Sequence, residues 1–458
     1  MSVTQRAGIA RPAPAAPLPR APAAALGARL VILSGIAAGT VLRLLGAWLL
    51  AVAARRRATF PDTAWSICAV RIHRAGPAAV KVAQLLSTRL DLLPVRMCRA
   101  LARLHDDAPP LPARAAARLA GQRLGRPLET IFREFSPVPE ASGSIACVYR
   151  GVLLDGTVVA VKLRRPGIER TIAADLRLFQ IGSSLVAGTR LMRGLPTRVA
   201  VAQLSAAIAD QLDFTREAAA LAAVADAVRD VERVRVPRPY AELADPARTG
   251  AGVLVMHHVP GLVRRSPAEL GLPAGARAVE ASLDAVYKML FIDGLVHCDL
   301  HPGNLYFFTD GSVCMLDAGF VVALPPAARR AFTEFFFRMG TGNEARCADL
   351  VLSTVERPAG FDEAGFRDEL GALVRSVTGS RADEFELFGF ATRLFDIQRR
   401  HGLYADPQFI FPLLGLLVLE GAIKQFHPSA DFQGLALPHL MRALFGRPDG
   451  TDPPPPIP

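Results

Sequence analysis

The chain has 458 residues, 51% of them hydrophobic and 21% charged, enough to bury a large core and long enough for two lobes or two to three domains. Its formal charge of +11 is uneven: residues 1–61 hold eight arginines and no acidic residue, which leaves the remainder close to neutral. No basic stripe interleaved with aromatics follows, which argues against a nucleic-acid partner, and six scattered cysteines without a CxxC pair exclude a small disulfide framework and point to thiols in a reducing compartment.

Residues 1–28, rich in Ala, Pro and Arg, read as a disordered leader. Leu30 to Ala53 is then a 24-residue apolar run. As a helix it would extend ~36 Å, enough to cross a bilayer. Arg43 near its middle would cost roughly 2.5 to 3.5 kcal/mol there. Three readings stay open for this segment, bounded at 29–58: a single span, a helix lying in the membrane interface or in a hairpin, and a soluble core helix. Arg55, Arg56 and Arg57 at its end suit an anionic membrane surface, and Trp48 and Trp65 flank them as candidate interfacial anchors, Trp65 reading equally as a core residue. The run starts too late for a cleaved signal peptide, whereas the acid-free, Arg-rich leader would suit an organelle transit peptide.

Residues 59–126 read as a helical extension, from "GPAAVKVAQLLSTRLDLLP" to the stop "DDAPPLP". Between Glu140 and Leu163 the pattern becomes strand, loop, strand, with a hairpin signal at Asp155-Gly156. Helical patterns return from Thr171 to Glu232 and from Ala278 to Gly294, a second hairpin turns at Asp310-Gly311, and the rest to Phe445 is mostly helical before a disordered tail at 447–458. The expected fold class is α+β: a small mixed lobe over 127–256 and a larger helical lobe over 257–446.

The stretch "HCDLHPGN", His297 to Asn304, has the spacing HxDLxxxN of the protein-kinase catalytic loop, in which the Asp accepts the substrate proton and the Asn holds magnesium. Asp299 and Asn304 fill those positions. Asp317, opening "DAGF", stands where a metal-binding carboxylate would face phosphates, and such oxygen ligands suit Mg²⁺. A plain polar turn is one alternative. Zinc on His297, Cys298 and His301 is another, although no second ligand cluster closes a tetrahedral site.

Upstream, "VAVK" places Lys162 on a strand, as the lysine that binds the α and β phosphates, and "DFTREAA" offers Glu217 on a helix to pair with it, a solvent-facing glutamate being the alternative. "ASGSIACV" stands where kinases carry a Gly-rich loop, with Ala141, Gly143 and Ala146 in the glycine slots and Ser144 and Val148 beside them. Only four lysines, Lys81, Lys162, Lys288 and Lys424, stand against forty-nine arginines. A lysine kept in that background calls for a chemical reason, because a guanidinium does not replace a compact ammonium at every site.

With these motifs in this order, the chain resembles the UbiB/ADCK (AarF-domain) family of atypical protein-kinase-like proteins associated with ubiquinone biosynthesis, over roughly residues 70–435. The marks are "KVAQ" at Lys81 to Gln84 for the KxGQ motif, the alanine-rich loop, "QLDFTREA" for the ExD motif before the helix glutamate, and "HPGN". The resemblance implies a protein-kinase-like two-lobed fold with a helical N-terminal extension, and ATP with Mg²⁺ as cofactors. It implies that Lys162 holds phosphates, Glu217 orients Lys162, Asp299 acts as base or positions a water, and Asn304 and Asp317 hold Mg²⁺. Lys81, Gln84, Gln211 and Asp213 would gate the pocket against protein substrates. It further implies a membrane lipid or quinone-like small molecule as partner, association with lipid-biosynthesis enzymes, and a membrane-associated protein whose kinase-like part lies in the cytoplasm or an organelle matrix.

The chain departs from the family pattern in four places. Ala83 replaces the KxGQ glycine and Gln211 the ExD glutamate, so Lys81 loses a charge partner there. Gly143 stands at a family alanine and would let the backbone approach phosphate, and Ala318 removes the usual Phe behind Asp317. Two other functions compete: a small-molecule kinase of the aminoglycoside or choline type, which lacks the KxGQ extension, and a nucleotide-binding pseudokinase module. A protein kinase is disfavoured because no APE-like element follows "DAGF".

Overall fold

The computed structural model describes residues 22–55, 60–87, 95–101, 104, 108–186, 197–243, 252–355, 357–378, 385–404 and 406–446. The leader before residue 22 and the tail expected at 447–458 lie outside the described residues. Two compact units emerge, one of residues up to 216 with 239–258, the other of 217–238 with the chain from 259 onward. Residues 217–238, assigned by sequence to the small lobe, therefore cluster with the second unit.

In the first unit, helix α1 (Ala23–Ala53) begins directly after Pro22. Residues 23–28 are thus helix rather than leader, as their alanines and leucine favour. Helix α2 (Phe60–Ala75) and α3 (Pro77–Ser87) are parted by Gly76 alone, at φ 106°. With α4 (Val95–Leu101) they enclose a small core of Ala83, Leu101 and Leu104 against Ile72 and Leu86.

Helix α5 (Ala113–Leu124) backs an antiparallel sheet of β1 (Phe132–Ser142), β2 (Ala146–Leu153), β3 (Val158–Arg164) and β5 (Val253–His257), in the order β1-β2-β3-β5. Alternate residues Cys147, Tyr149, Val159, Val161 and Leu163 face the helix and are buried with Ala116 and Ala120, the period-two pattern of a half-buried sheet. The β2–β3 turn falls at Asp155-Gly156 as expected, with Gly156 at φ 89°. Strand β1 starts at Phe132, eight residues before the first strand expected from sequence. Pro137 and Pro139 hide it, and its register slips around Pro139, which an edge strand tolerates.

Three helices follow: α6 (Ile168–Val186), α7 (Thr197–Asp210) and α8 (Phe214–Ala227), the last carrying the chain into the second unit. Strand β4 (Val234–Arg235) joins β8 (Val313–Met315) and β7 (Leu305–Phe307), while β6 (Leu295–His297) pairs with β9 (Val321–Ala323). The β7–β8 hairpin turns at Asp310-Gly311, as its sequence predicts. Short α9 (Pro267–Leu270) precedes α10 (Leu272–Tyr287), which continues through a π-turn, Lys288–Asp293, to left-handed Gly294.

The remaining helices are α11 (Pro326–Gly340), α12 (Glu344–Leu352), α13 (Glu363–Val377), α14 (Leu387–Arg400), α15 (Pro407–Ile423) and α16 (Phe432–Phe445). Phe291, Phe332, Phe335, Phe336 and Phe409 interlock at their centre. Buried Glu420 of α15 accepts the N–H groups of Leu387 and Phe388, at 3.0 and 2.9 Å, and so serves the open start of α14, where Glu386 makes no side-chain cap. Helix α15 also approaches β6 so closely that a Cβ on Gly415 would stand 3.0 Å from the His297 carbonyl oxygen.

Candidate active site

In the second unit, Gly294 ends the π-turn and delivers β6, whose three residues are buried. His297 closes that strand. Its Nε2 lies 2.9 Å from the main-chain oxygen of Asp317, and its Nδ1 receives the Asp299 N–H at 3.3 Å. A carbonyl only accepts, so Nε2 carries the proton, and Nδ1 must be bare to accept. Burial lowers the His297 pKa below its ordinary range, in keeping with this neutral tautomer.

The loop then closes on itself. Asn304 Nδ2 donates to the Asp299 carbonyl at 2.9 Å, the Asn304 N–H reaches the His301 carbonyl at 2.8 Å, and Leu316 donates to the Asn304 carbonyl at 2.8 Å. Because the Asn304 amide nitrogen is engaged with Asp299, its oxygen is the atom suited to a cation. Asp317 adopts a left-handed backbone, φ 48°, and its Oδ1 accepts the Gly319 N–H at 2.9 Å. His301 Nε2 lies 3.7 Å from Asp299 Oδ1, while its Nδ1 accepts the Gly303 N–H at 2.8 Å. A side chain at 303 would collide with that ring. Asp299, Asn304 and Asp317 are thus brought together by backbone bonds around His297.

The zinc alternative does not fit this geometry. Both ring nitrogens of His297 are committed to backbone partners, and Cys298 is buried with Sγ 3.7 Å from the Val296 carbonyl. Burial pushes the Cys298 thiol far up, away from the thiolate that zinc needs.

In the first unit, Lys162 on β3 stands opposite Val148 of β2 on one side and Leu254 of β5 on the other. Its ammonium lies 5.2 Å from the ring centroid of Phe214, the first residue of α8. Glu217, one turn further along that helix, is only 4% exposed, so the solvent-facing alternative does not hold.

The loop residues behave as a tight hairpin. Ala141 pairs with Val148 and Ser142 with Cys147, and Gly143 donates to the Ala146 carbonyl at 2.8 Å. The Gly143 amide, at the position expected to let the backbone approach phosphate, is engaged within the loop. Ser144 at the loop tip is buried. Arg165 holds this loop, a role no motif signals: its Nε donates to the Gly143 carbonyl at 2.8 Å, and its Nη2 to Ser142 Oγ at 2.9 Å and the Pro109 carbonyl at 2.8 Å.

The residues that the resemblance expects to gate the pocket fall on two neighbouring elements. Lys81 and Gln84 lie one turn apart on α3, where Gln84 Nε2 donates to the Leu104 carbonyl at 3.2 Å, and α3 packs against α7. Gln211 and Asp213 form the α7–α8 turn. Asp213 Oδ1 accepts the N–H and O–H of Thr215 at 3.0 and 2.6 Å, capping the start of α8.

The ABC1 atypical kinase-like domain matches residues 103–351. A Marinobacter nauticus protein named "Probable protein kinase UbiB" is 30% identical over 380 residues, covering 81% of this chain and 68% of its own. A Pseudomonas putida protein of the same name is 29% identical over 382 residues, covering 81% and 69%. The solved complex of Rv3197 with erythromycin from Mycobacterium tuberculosis, 21% identical, covers 87% of this chain and 99% of that one at a TM-score of 0.51, a likeness of fold. The α+β, kinase-like class with a helical N-terminal extension is the fold of this chain.

Proposed function

The chain belongs to the ABC1 atypical kinase-like family, and from that premise we propose a membrane-associated atypical kinase or ATPase that uses Mg-ATP in support of ubiquinone or related isoprenoid-lipid biosynthesis. The observation that carries this reading is the His297 bridge, which fixes Asp299 and Asp317 in one frame by two backbone bonds. A structural turn alone would not need a buried, neutral imidazole at its centre.

The donor set fits magnesium rather than a softer ion: one carboxylate on Asp317 and one amide oxygen on Asn304, with no thiolate. When bound, Mg²⁺ would neutralise the phosphate charge. Lys162 supplies a compact ammonium for the α and β phosphates, and buried Glu217 orients it. Asp299 accepts the proton of an attacking hydroxyl or positions a water. His297, neutral, holds both carboxylate-bearing segments without competing for that proton. Lys81 and Gln84 on α3, with Gln211 and Asp213, gate the nucleotide pocket, and a membrane lipid or quinone-like phenol is the accepted small molecule. Lipid-biosynthesis enzymes are the partners this role calls for, on the cytoplasmic face of the membrane.

The test is ATP hydrolysis by the full chain, with and without anionic liposomes and a quinone-like phenol, beside Asp317→Asn. Magnesium-dependent turnover that lipid or phenol raises and Asp317→Asn abolishes supports the reading. Nucleotide binding without turnover under every condition sinks the role given to Asp299 and leaves a binding module.

A further inference from the structure

Helix α1 has two unlike sides. Arg29, Leu33, Ile36, Thr40, Leu44 and Ala47 are partly covered and recur at three- and four-residue steps, so they form one stripe. That stripe rests on α2 and α6. Arg29 grips Asp175 of α6 with two bonds, Nε to Oδ1 at 2.6 Å and Nη2 to Oδ2 at 2.7 Å, and Nη2 also donates to the Ala75 carbonyl at 2.7 Å. Arg71 of α2 donates to Thr40 Oγ1 at 3.3 Å and to the Ile36 carbonyl at 3.4 Å. On the opposite side Val31, Leu42, Leu45 and Leu49 are 73%, 69%, 52% and 60% exposed. No residue of α1 is buried, although the helix is long and apolar enough to cross a membrane.

An apolar side of this length needs a cover, and the charges around it decide which one. Helix α2 runs beside α1 and sets Arg71 level with Ile36 and Thr40, about 9 to 15 Å into the apolar run at ~1.5 Å per residue. A crossing α1 would take that guanidinium into hydrocarbon, at a cost of roughly 2.5 to 3.5 kcal/mol. Exposed His73 and Arg74 of α2 would be drawn the same way. Arg43, the charge inside the run, stands three residues after Thr40 and seven after Ile36. It lies beside the docked stripe, is itself exposed, and points away from the pole formed by Val31, Leu42 and Leu49. Trp48 is half-exposed on the flank, and Arg55 stands just past the end of the helix. The charges that α2 and α6 bring thus gather on one side of α1 and leave the opposite side apolar, the arrangement of a helix seated in a lipid surface with its neighbours toward water.

We propose that α1 lies in the plane of a membrane, with Val31, Leu42, Leu45 and Leu49 sunk into one leaflet, α2 on the water side, and the Arg29–Asp175 pair fastening the seat to the first unit. The occupant is a lipid leaflet, and the helix does not cross it. The inference rests on the membrane-associated reading above and deepens it.

The chain has two tryptophans, Trp48 and Trp65, which makes a depth measurement direct. In the full chain with both changed to Phe, a single tryptophan is placed by Val31→Trp, Leu42→Trp or Leu49→Trp, all on the exposed pole. Vesicles of phosphatidylcholine with a minority of phosphatidylglycerol carry bromine at shallow or deep acyl positions. The expected result is one common depth, about 5–10 Å below the surface, with shallow bromine quenching all three reporters best. A profile in which Leu42→Trp is deepest and the other two shallow overturns the inference in favour of a span, while the membrane reading stands. Absence of vesicle binding overturns both. Vesicle binding without quenching at any of the three positions overturns the seat alone, and turnover by the Asp299 site is read separately.

Discussion

The imidazole of His297 donates from Nε2 to the main-chain oxygen of Asp317 at 2.9 Å, twenty residues along the chain. Its other nitrogen receives the Asp299 N–H. One neutral side chain thus sets the spacing between Asp299, proposed to accept a proton, and Asp317, proposed to hold the metal.

His297→Ala should lower kcat about 100-fold through misplacement of the two acids and cost roughly 1 to 2 kcal/mol of stability, since a partly buried carbonyl and a partly buried N–H lose their partner. The pH dependence has a defined sign. Burial depresses the His297 pKa from its ordinary 6.5, so the unfolded chain takes up this proton first. The contribution is complete above 6.5, declines as pH falls below that value, and is lost as pH passes down through the folded value. Wild-type unfolding measured from pH 8 to 5 should show this decline, and the variant should lack it.

Asp317 holds a left-handed backbone at φ 48°, which costs an L-residue with a Cβ on the order of 1 kcal/mol. Asp317→Gly should therefore unfold at a higher denaturant concentration than Asp317→Ala, by about 1 kcal/mol, while both lose turnover. The reverse order of stability would refute the strain assigned to this position.

Arg165 joins Gly143, Ser142 and Pro109 through one guanidinium. Arg165→Ala should raise the KM for ATP about tenfold, equivalent to about 1.4 kcal/mol, with kcat nearly unchanged, because the catalytic loop is not touched. Arg165→Lys should recover little, since one ammonium does not reproduce the planar fork. A fall in kcat alone, at constant KM, would show that Arg165 acts elsewhere.

Arg29 and Asp175 form a bidentate pair with both groups largely covered. Arg29→Met should loosen α1 and α6 by about 3 kcal/mol, read as faster amide exchange in both helices. Burial already raises the Asp175 carboxyl above its ordinary range against the pull of Arg29. The deficit at pH 7 should therefore shrink as the pH falls and the unpaired acid takes up a proton. Arg29→Met with Asp175→Leu should restore most of the protection, and failure to do so would mean that the pair orients the helix rather than merely balancing charge.

Features made by neighbours in the chain were legible in the sequence. The β2–β3 and β7–β8 turns follow from Asp-Gly pairs, because only a residue tolerant of positive φ closes them. The candidate catalytic loop is written within eight residues, and its closure runs between Asp299 and Asn304, five apart. Helix α1 announced itself by apolar length. Its start at Ala23 and the prolines of β1 were misjudged at the boundary, where propensity and tertiary pairing pull in different directions.

What only the tertiary structure decided depends on contacts between distant parts of the chain. Burial of Glu217 reflects the packing of α8, and the hold of Arg165 on the nucleotide loop depends on Pro109 and Gly143, which a local pattern does not relate. The sequence left α1 with three readings because hydropathy counts residues without regard to side. Asp175, 146 residues away, decides which stripe of α1 turns inward. Arg43 stands beside that stripe, and the apolar pole opposite is left exposed. A charge pattern along one helix acquires an orientation only when a second element supplies the partner.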